Sequence, residues 1–226
     1  MAQVIEFPRP DGKNISGYYV EPESGGRAPG LVVIQEWWGV NTQIKSVAER
    51  FAAAGYRVLV PDLFRGTVTV EAKEAEHLMN GLNFGDAAGQ DVRGAVAYLK
   101  RGSDKVGING FCMGGALALL GAANVPEASA TTSWYGYPPL EYLDATKIKA
   151  PLLCHFATED AFFPIAGVEP LEKKLAAAGV HAQIYRYNAK HAFGNETAID
   201  MKIPIRYNAA ATAQAWQRTL DFFAKM

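Results

Sequence analysis

Runs of apolar residues along the chain alternate between two periodicities, which predict strands and helices in turn. The segment "GLVVIQE" (30–36) is nearly continuous in apolar residues, as is typical of a strand that is covered on both faces. The segment "NTQIKSVAERFAAAGY" (41–56) spaces its apolar residues at helical intervals, with Asn41 at its start and Gly55 near its end. The segment "RVLVPDL" (57–63) then returns to a strand pattern. This alternation is typical of a chain that builds successive β–α units.

The same alternation continues to the end of the sequence. We predict further strands over 14–22, 105–110, 130–138, 150–160 and 181–188, and helices over 71–80, 86–102, 113–123, 168–179 and 211–226. No repeat, low-complexity tract or shift in composition divides the chain, so we expect one domain over residues 1–226. The predicted fold class is α/β, a mostly parallel, doubly wound sheet with helices on both faces. Ligands in such folds bind beyond the carboxyl ends of the strands.

Composition and charge narrow the class of protein. The chain has 226 residues, of which 49% are hydrophobic, and at this length roughly 70% of the unfolded surface can be buried. The formal net charge is −1 and the basic residues are scattered, so we expect no nucleic-acid partner. The 2 cysteines are too few for a disulfide framework. The sequence shows neither a signal-peptide pattern nor an apolar run of about 18 residues, so we expect a cytoplasmic protein without a membrane partner.

Reactive side chains follow four of the predicted strands, at the edge of the sheet where ligands bind. Glu36 follows the apolar part of its strand, and Cys112 comes just after the strand at 105–110. Asp160 and His191 follow two later strands. The order Cys, Asp, His along the chain is that of the triad in α/β-hydrolases, with cysteine in place of serine. We therefore predict Cys112 as nucleophile, His191 as general base and Asp160 as the carboxylate that orients the base.

The motif "GFCMG" (110–114) has a physical reason to carry a nucleophile at its centre. A residue at the apex of a strained strand-to-helix turn is presented above the sheet, and glycines on either side let neighbouring backbone approach closely. The helix that starts at Met113 directs its N–H groups and positive dipole end at the same point, which stabilises a thiolate or an oxyanion. We predict the Met113 N–H as the first oxyanion donor and the Trp37 N–H as the second.

Each of these assignments has a structural alternative. A G-x-C-x-G pattern also occurs by chance, and a buried cysteine is most often a small apolar residue, as we predict for Cys154. Glu159 competes with Asp160, which is preferred because it lies deeper in the loop before "AFFP". His191 is preferred because the other histidines lie inside a strand (His155), on a polar helix face (His77) or before a strand (His181). The chain lacks G-x-G-x-x-G, H-E-x-x-H and C-x-x-C motifs, so we expect neither a dinucleotide, a metal nor another cofactor.

Taken together, the motifs resemble the dienelactone hydrolase (carboxymethylenebutenolidase) family over nearly the whole chain. The segments that carry the resemblance are "VVIQEWWGVN", "AERFAAAGY", "VPDLFRG", "GINGFCMGG", "ATEDAFFP" and "KHAFGN". The resemblance implies an α/β-hydrolase fold, a Cys112–His191–Asp160 triad and hydrolysis of a small-molecule ester or lactone through a thioester. It also implies that Glu36 interacts with the resting thiol until substrate binding releases the thiolate. The sequence itself does not fix the oligomeric state, and the resemblance favours a monomer.

The chain departs from the family where a substrate carboxylate would bind. Family members that take dienelactone hold its carboxylate with arginines, one of them shortly after the catalytic histidine, where this chain has Asn195. Asparagine does not replace a bidentate arginine. We predict as substrate-pocket residues Trp38, Tyr135, Phe162, Arg65 and Arg206, with Lys190 and Lys202 as further candidates for the carboxylate. A carboxylesterase or thioesterase for neutral substrates is the alternative, and a redox-responsive thiol protein is the alternative from another class.

Overall fold

In this computed structural model, which describes residues 2–23, 25–199 and 201–226, the described strands form one sheet. They are β1 (Ala2–Pro8), β2 (Asn14–Val20), β3 (Gly30–Ile34), β4 (Arg57–Pro61), β5 (Val106–Phe111), β6 (Ala130–Trp134), β7 (Leu152–Glu159) and β8 (Ala182–Lys190). Their order in the sheet is β1-β2-β4-β3-β5-β6-β7-β8. Strand β2 runs antiparallel to β1 and β4, and every other pair of neighbours is parallel. The mostly parallel sheet is thus as predicted.

Helices alternate with most of the parallel strands along the chain. They are α1 (Thr42–Ala53), α2 (Ala72–Gly81), α3 (Phe84–Asp86), α4 (Arg93–Lys100), α5 (Met113–Asn124), α6 (Val168–Ala177) and α7 (Ala209–Phe223), with a π-helical segment at Ala87–Val92 and short 3₁₀ turns at Leu140–Tyr142, Ala145–Lys147 and Ile165–Gly167. The helix predicted over 86–102 is therefore broken into α and π segments. Within the described part of the chain, no helix is long and apolar enough to cross a bilayer.

The apolar runs of the sequence lie at the centre of the sheet. Every residue of β3, β5 and β6 is buried. Helix α5 is buried from Met113 to Ala123, which explains why it is apolar on all sides instead of along one stripe. This core fixes the carboxyl ends of β3, β5, β6, β7 and β8 along one edge of the sheet. The predicted site residues follow those ends.

Cys154, which the sequence assigns to packing, and His155, which it places inside a strand, are both core residues in the structure. Cys154 is fully buried in β7, and burial raises the pKa of its thiol to about 12. His155 is also fully buried, and its two ring nitrogens are hydrogen-bonded to the hydroxyls of Tyr187 (2.8 Å) and Thr219 (3.0 Å). Burial, with the nearby charge of Arg218, lowers the pKa of His155 to about 3, so its ring is neutral. Both predictions are confirmed.

A buried ion cluster fastens the N-terminal strand to the π-helical segment. Asp91 accepts a hydrogen bond from Arg9 at 2.9 Å, and Nη2 of Arg65 contacts both of its oxygens, at 3.0 and 2.9 Å. Arg9 also donates to Asp86 and Asp11. The side chains of Asp91 and Arg9 are only 1% and 7% exposed. Burial raises the pKa of Asp91, and the hydrogen bond and charge of Arg65 oppose that rise.

Asp91→Ala is expected to lower the free energy of unfolding by about 3 kcal/mol or more, because it leaves Arg9 buried without its most buried counter-ion. Urea denaturation of the two proteins measures this difference. Asp104→Ala is the matched control, since it breaks the exposed Arg27–Asp104 pair and should cost less than about 1 kcal/mol. Equal losses in the two variants would contradict the role given to the buried cluster.

Candidate active site

Cys112 stands at a sharp turn between β5 and α5. Its backbone has φ 55° and ψ −120°, a combination outside the φ/ψ regions that residues with a Cβ favour. Its N–H donates to the Trp134 carbonyl at 2.9 Å. Tyr135 and Ala192 also have positive φ, at 40° and 58°. Tyr135 follows β6 directly, and Ala192 follows His191, the predicted base. Strained non-glycine residues collected at one edge of a sheet are typical of a functional site.

Three glycines make this turn sterically feasible. A Cβ on Gly110 would lie 1.8 Å from the Gly114 carbonyl oxygen, and one on Gly114 would lie 2.5 Å from the Gln35 carbonyl oxygen. Gly136, which the sequence analysis did not single out, is as tightly placed, since its Cβ would lie 2.0 Å from the Cys112 carbonyl oxygen. The G-x-C-x-G spacing therefore reflects direct backbone contact within the turn and with β3.

A continuous chain of hydrogen bonds joins the three predicted triad residues. His191 Nε2 lies 3.1 Å from Cys112 Sγ, and His191 Nδ1 lies 2.8 Å from Asp160 Oδ2. The other oxygen of Asp160 accepts the N–H groups of Phe162 and Phe163, each at 2.8 Å. All three triad side chains are buried. The "AFFP" segment thus fixes Asp160 through its backbone, whereas Glu159 is exposed.

The charge state of His191 follows from its neighbours. Burial disfavours the imidazolium, but the charge and hydrogen bond of Cys112, together with the hydrogen bond that His191 donates to Asp160, outweigh burial. The result is a pKa for His191 of about 10. At neutral pH the His191 ring therefore carries a positive charge and faces the sulfur of Cys112 across 3.1 Å.

Glu36 is the fourth titratable residue of the site and is only 3% exposed. Its Oε1 accepts the Tyr135 hydroxyl at 3.0 Å, and its Oε2 accepts the Asn195 side-chain amide at 2.6 Å. Burial raises the pKa of Glu36, and the His191 charge and these two hydrogen bonds oppose the rise. The resemblance implies a contact between Glu36 and the resting thiol, but here the thiol is hydrogen-bonded to His191. The two donors to Glu36 come from other segments of the chain, Tyr135 after β6 and Asn195 after the predicted base.

The sequence analysis assigns two backbone N–H groups as oxyanion donors. Met113 is the first residue of α5, so its N–H has no acceptor within the helix. Within the described residues, neither the Met113 N–H nor the Trp37 N–H takes part in a backbone hydrogen bond of a turn, loop or cap. Both remain candidates for oxyanion donors, as the sequence predicts.

Aromatic rings surround the triad. Phe162 and Tyr135 lie 5.0 and 5.2 Å from the His191 ring, measured between ring centroids. Phe163, which the sequence analysis did not propose, stacks on the same ring at 5.6 Å. Trp37 packs against Phe162 at 5.6 Å, and Trp38 lies behind Trp37 at 5.1 Å. This side of the site therefore has an apolar, aromatic surface.

The two arginines proposed for a substrate carboxylate occupy different environments. Arg65 is paired with Asp91, so a carboxylate already occupies its guanidinium. Arg206 lies beside the triad, because its N–H donates to the His191 carbonyl at 3.0 Å, and its side chain is exposed. Lys190 and Lys202 are also exposed.

Among the described residues, no group of three His, Cys, Asp or Glu side chains is arranged to hold a metal ion.

Comparisons with known proteins give relatives over the full chain. The sequence model of the dienelactone hydrolase family matches residues 15–226. Protein usf of Aquifex pyrophilus is 33% identical, over 99% of this chain and 98% of its own. A Synechocystis sp. protein, named provisionally as a carboxymethylenebutenolidase, is 33% identical over 92% of this chain and 91% of its own. A crystal structure from Klebsiella pneumoniae, named provisionally as a dienelactone hydrolase, superposes with a TM-score of 0.87 at 27% identity and covers 100% of this chain and 99% of its own.

Proposed function

The chain belongs to the dienelactone hydrolase family of α/β-hydrolases and is a hydrolase of esters or lactones, and from this premise we propose that it acts through a Cys112–His191–Asp160 triad and a thioester intermediate. One observation carries the proposal: the unbroken hydrogen-bond chain from Asp160 through His191 to Cys112. This chain lies at the carboxyl edge of the sheet, where α/β folds bind their ligands.

In the acylation half-reaction the Cys112 thiolate attacks the carbonyl carbon and forms a C–S bond, while the π electrons of the carbonyl move to its oxygen. The N–H groups of Met113 and Trp37 stabilise this oxyanion, and the positive end of α5 adds to the effect. When the tetrahedral intermediate collapses, the C–O bond to the leaving group breaks. The imidazolium of His191 gives its proton to the departing oxygen, which leaves a thioester on Cys112 and a neutral His191.

In the deacylation half-reaction neutral His191 removes a proton from a water molecule, whose oxygen attacks the thioester carbonyl. The second tetrahedral intermediate uses the same two N–H donors. Its collapse breaks the C–S bond, releases the carboxylic acid product and restores the thiolate opposite the His191 imidazolium. Asp160 holds Nδ1 throughout, so that Nε2 faces the sulfur in both half-reactions.

We propose neutral esters, including thioesters, as the substrates. Among the described residues that border the triad, the donors facing Glu36 are the neutral groups of Tyr135 and Asn195, and Arg65 is bound to Asp91. The rings of Trp37 and Phe162 supply an apolar surface for the acyl or alcohol part of such a substrate.

We expect a neutral aryl ester to be hydrolysed with a kcat/KM at least about tenfold above that of a dienelactone carboxylate, because the donors at Glu36 are neutral and the Arg206 side chain is exposed to water instead of buried in the site. Steady-state hydrolysis of both substrates by one enzyme preparation measures the ratio, and Arg206→Gln is assayed in parallel. A preference for the dienelactone that disappears in Arg206→Gln would contradict the neutral-substrate assignment and identify Arg206 as the carboxylate receptor.

A further inference from the structure

Asn195 binds Glu36 from the loop after the base, and the triad mechanism gives it no role. It is only 1% exposed. Its Oδ1 accepts the Thr197 N–H at 2.9 Å and the Thr197 hydroxyl at 2.7 Å. Because the Thr197 N–H can only donate, the oxygen of the amide must face Thr197. The NH₂ group of Asn195 is therefore directed at Glu36, which it reaches at 2.6 Å.

Tyr135 holds the opposite oxygen of Glu36 and is itself rigidly placed. Its backbone has a φ of 40°, and its N–H donates to the His155 carbonyl at 2.7 Å. Its hydroxyl donates to Glu36 Oε1 at 3.0 Å, and its ring meets the His191 ring edge-on. The two donors thus reach Glu36 from different segments of the chain, and together they fix the plane of the carboxyl group.

The position of Glu36 matters because it lies close enough to the triad to affect the nucleophile. The Tyr135 hydroxyl contacts Glu36 at 3.0 Å and the ring of the same tyrosine lies 5.2 Å from the His191 ring, so one side chain connects the carboxyl group with the base. A carboxylate that turned toward the sulfur would accept the S–H proton as a hydrogen bond and hold the thiol in its neutral form. That arrangement would compete directly with the 3.1 Å contact between Cys112 and His191.

We infer that Asn195 is a positioning residue: with Tyr135 it holds both oxygens of Glu36 and so leaves the thiol of Cys112 to His191 before any substrate binds. The inference rests on the proposed function, since it takes Cys112 as the nucleophile. Its consequence is that the Cys112 sulfur already faces the His191 ring, at 3.1 Å, in the resting enzyme. A substrate then needs no anionic group of its own to release the nucleophile.

The rate at which iodoacetamide alkylates Cys112, measured against pH without substrate, tests the inference. We expect the wild-type rate to rise to a plateau with increasing pH, and the pH at which it is half-maximal is the midpoint with which the variants are compared. In Asn195→Ala the midpoint should rise by about one unit, which slows alkylation at pH 6.5 by about tenfold. The titratable groups that face the sulfur or its partner are His191, Glu36, Tyr135 and Asp160, and all are unchanged in this variant.

Further variants separate positioning from packing. Tyr135→Phe removes the other donor and should shift the midpoint in the same direction, so the test survives if Asn195→Ala does not fold. In a Glu36→Gln background, Asn195→Ala should change the alkylation rate by less than about twofold, because the carboxylate that it positions is gone. Asn124→Ala is the control, since this asparagine bonds only the Leu120 carbonyl at the far end of α5.

Two outcomes would overturn the inference. One is a wild-type pH profile in both Asn195→Ala and Tyr135→Phe, and the other is an equally large effect of Asn195→Ala with and without the Glu36 carboxylate. Cys112→Ser serves as the blank for labelling of Cys154. Because alkylation requires no turnover, it can fail while ester hydrolysis still depends on Cys112, which keeps this inference distinguishable from the proposed function.

Discussion

Cys112→Ala is expected to lower kcat/KM for a neutral aryl ester by at least about 10⁴-fold, since the removal of a triad nucleophile abolishes the covalent route. The oxyanion donors remain in the variant, so any residual rate reflects binding and backbone hydrogen bonds alone. Steady-state hydrolysis with a high enzyme concentration measures the remaining activity. A mass shift of the wild-type protein by one acyl group, absent from the variant, would report the thioester directly.

The fold should survive this substitution. Cys112 projects from the apex of a turn, and alanine has the same backbone preferences at φ 55° as any other residue with a Cβ. Cys154→Ala is the matched control: it removes the same sulfur from the core of β7, so it should lower stability but leave kcat/KM within about twofold. Wild-type turnover in Cys112→Ala would place the nucleophile elsewhere. It would also favour the interpretation of Cys112 as a redox-responsive thiol.

The sequence predicts the parts of this fold whose apolar pattern is strong. Strand β3 is a buried apolar run, and α1 has an apolar stripe with an Asn41 side chain that caps its start by accepting the Ile44 N–H. Strand β1 was not predicted, because Phe7 is its one buried residue and Val4 is 71% exposed. An edge strand with so little burial has almost no periodic signal.

The candidate site also has a part that the sequence predicts and a part that it does not. The triad is predictable because its members follow strands whose ends must meet, whatever the details of packing. The hydrogen bond from Asn195 to Glu36 joins residues 159 positions apart, and the pairing of Arg65 with Asp91 depends on a loop after β4. No local spacing encodes either contact. Their detection requires the positions of side chains in space.

His191→Ala is expected to lower kcat/KM at pH 7 by about 10²- to 10⁴-fold, the usual contribution of a general acid–base group. Two effects combine. The variant loses the proton donor for the leaving group, and the thiolate loses the imidazolium that stabilises it, so that only a few per cent of the thiol is ionised near neutral pH. The exposed histidines give matched controls, and His77→Ala and His181→Ala should retain wild-type activity.

The pH dependence gives this prediction a second, independent readout. In the wild type, burial disfavours the charged ring, but Cys112 and Asp160 raise the pKa of His191 to about 10. Activity should therefore fall only as the pH rises through that value, because the leaving group then loses its proton donor. In His191→Ala the residual rate should instead increase as the pH rises through about 8.5, because ionisation of an unassisted thiol then limits the reaction. A variant with a wild-type rate, or with a wild-type pH profile at a lower rate, would show that another group supplies the base.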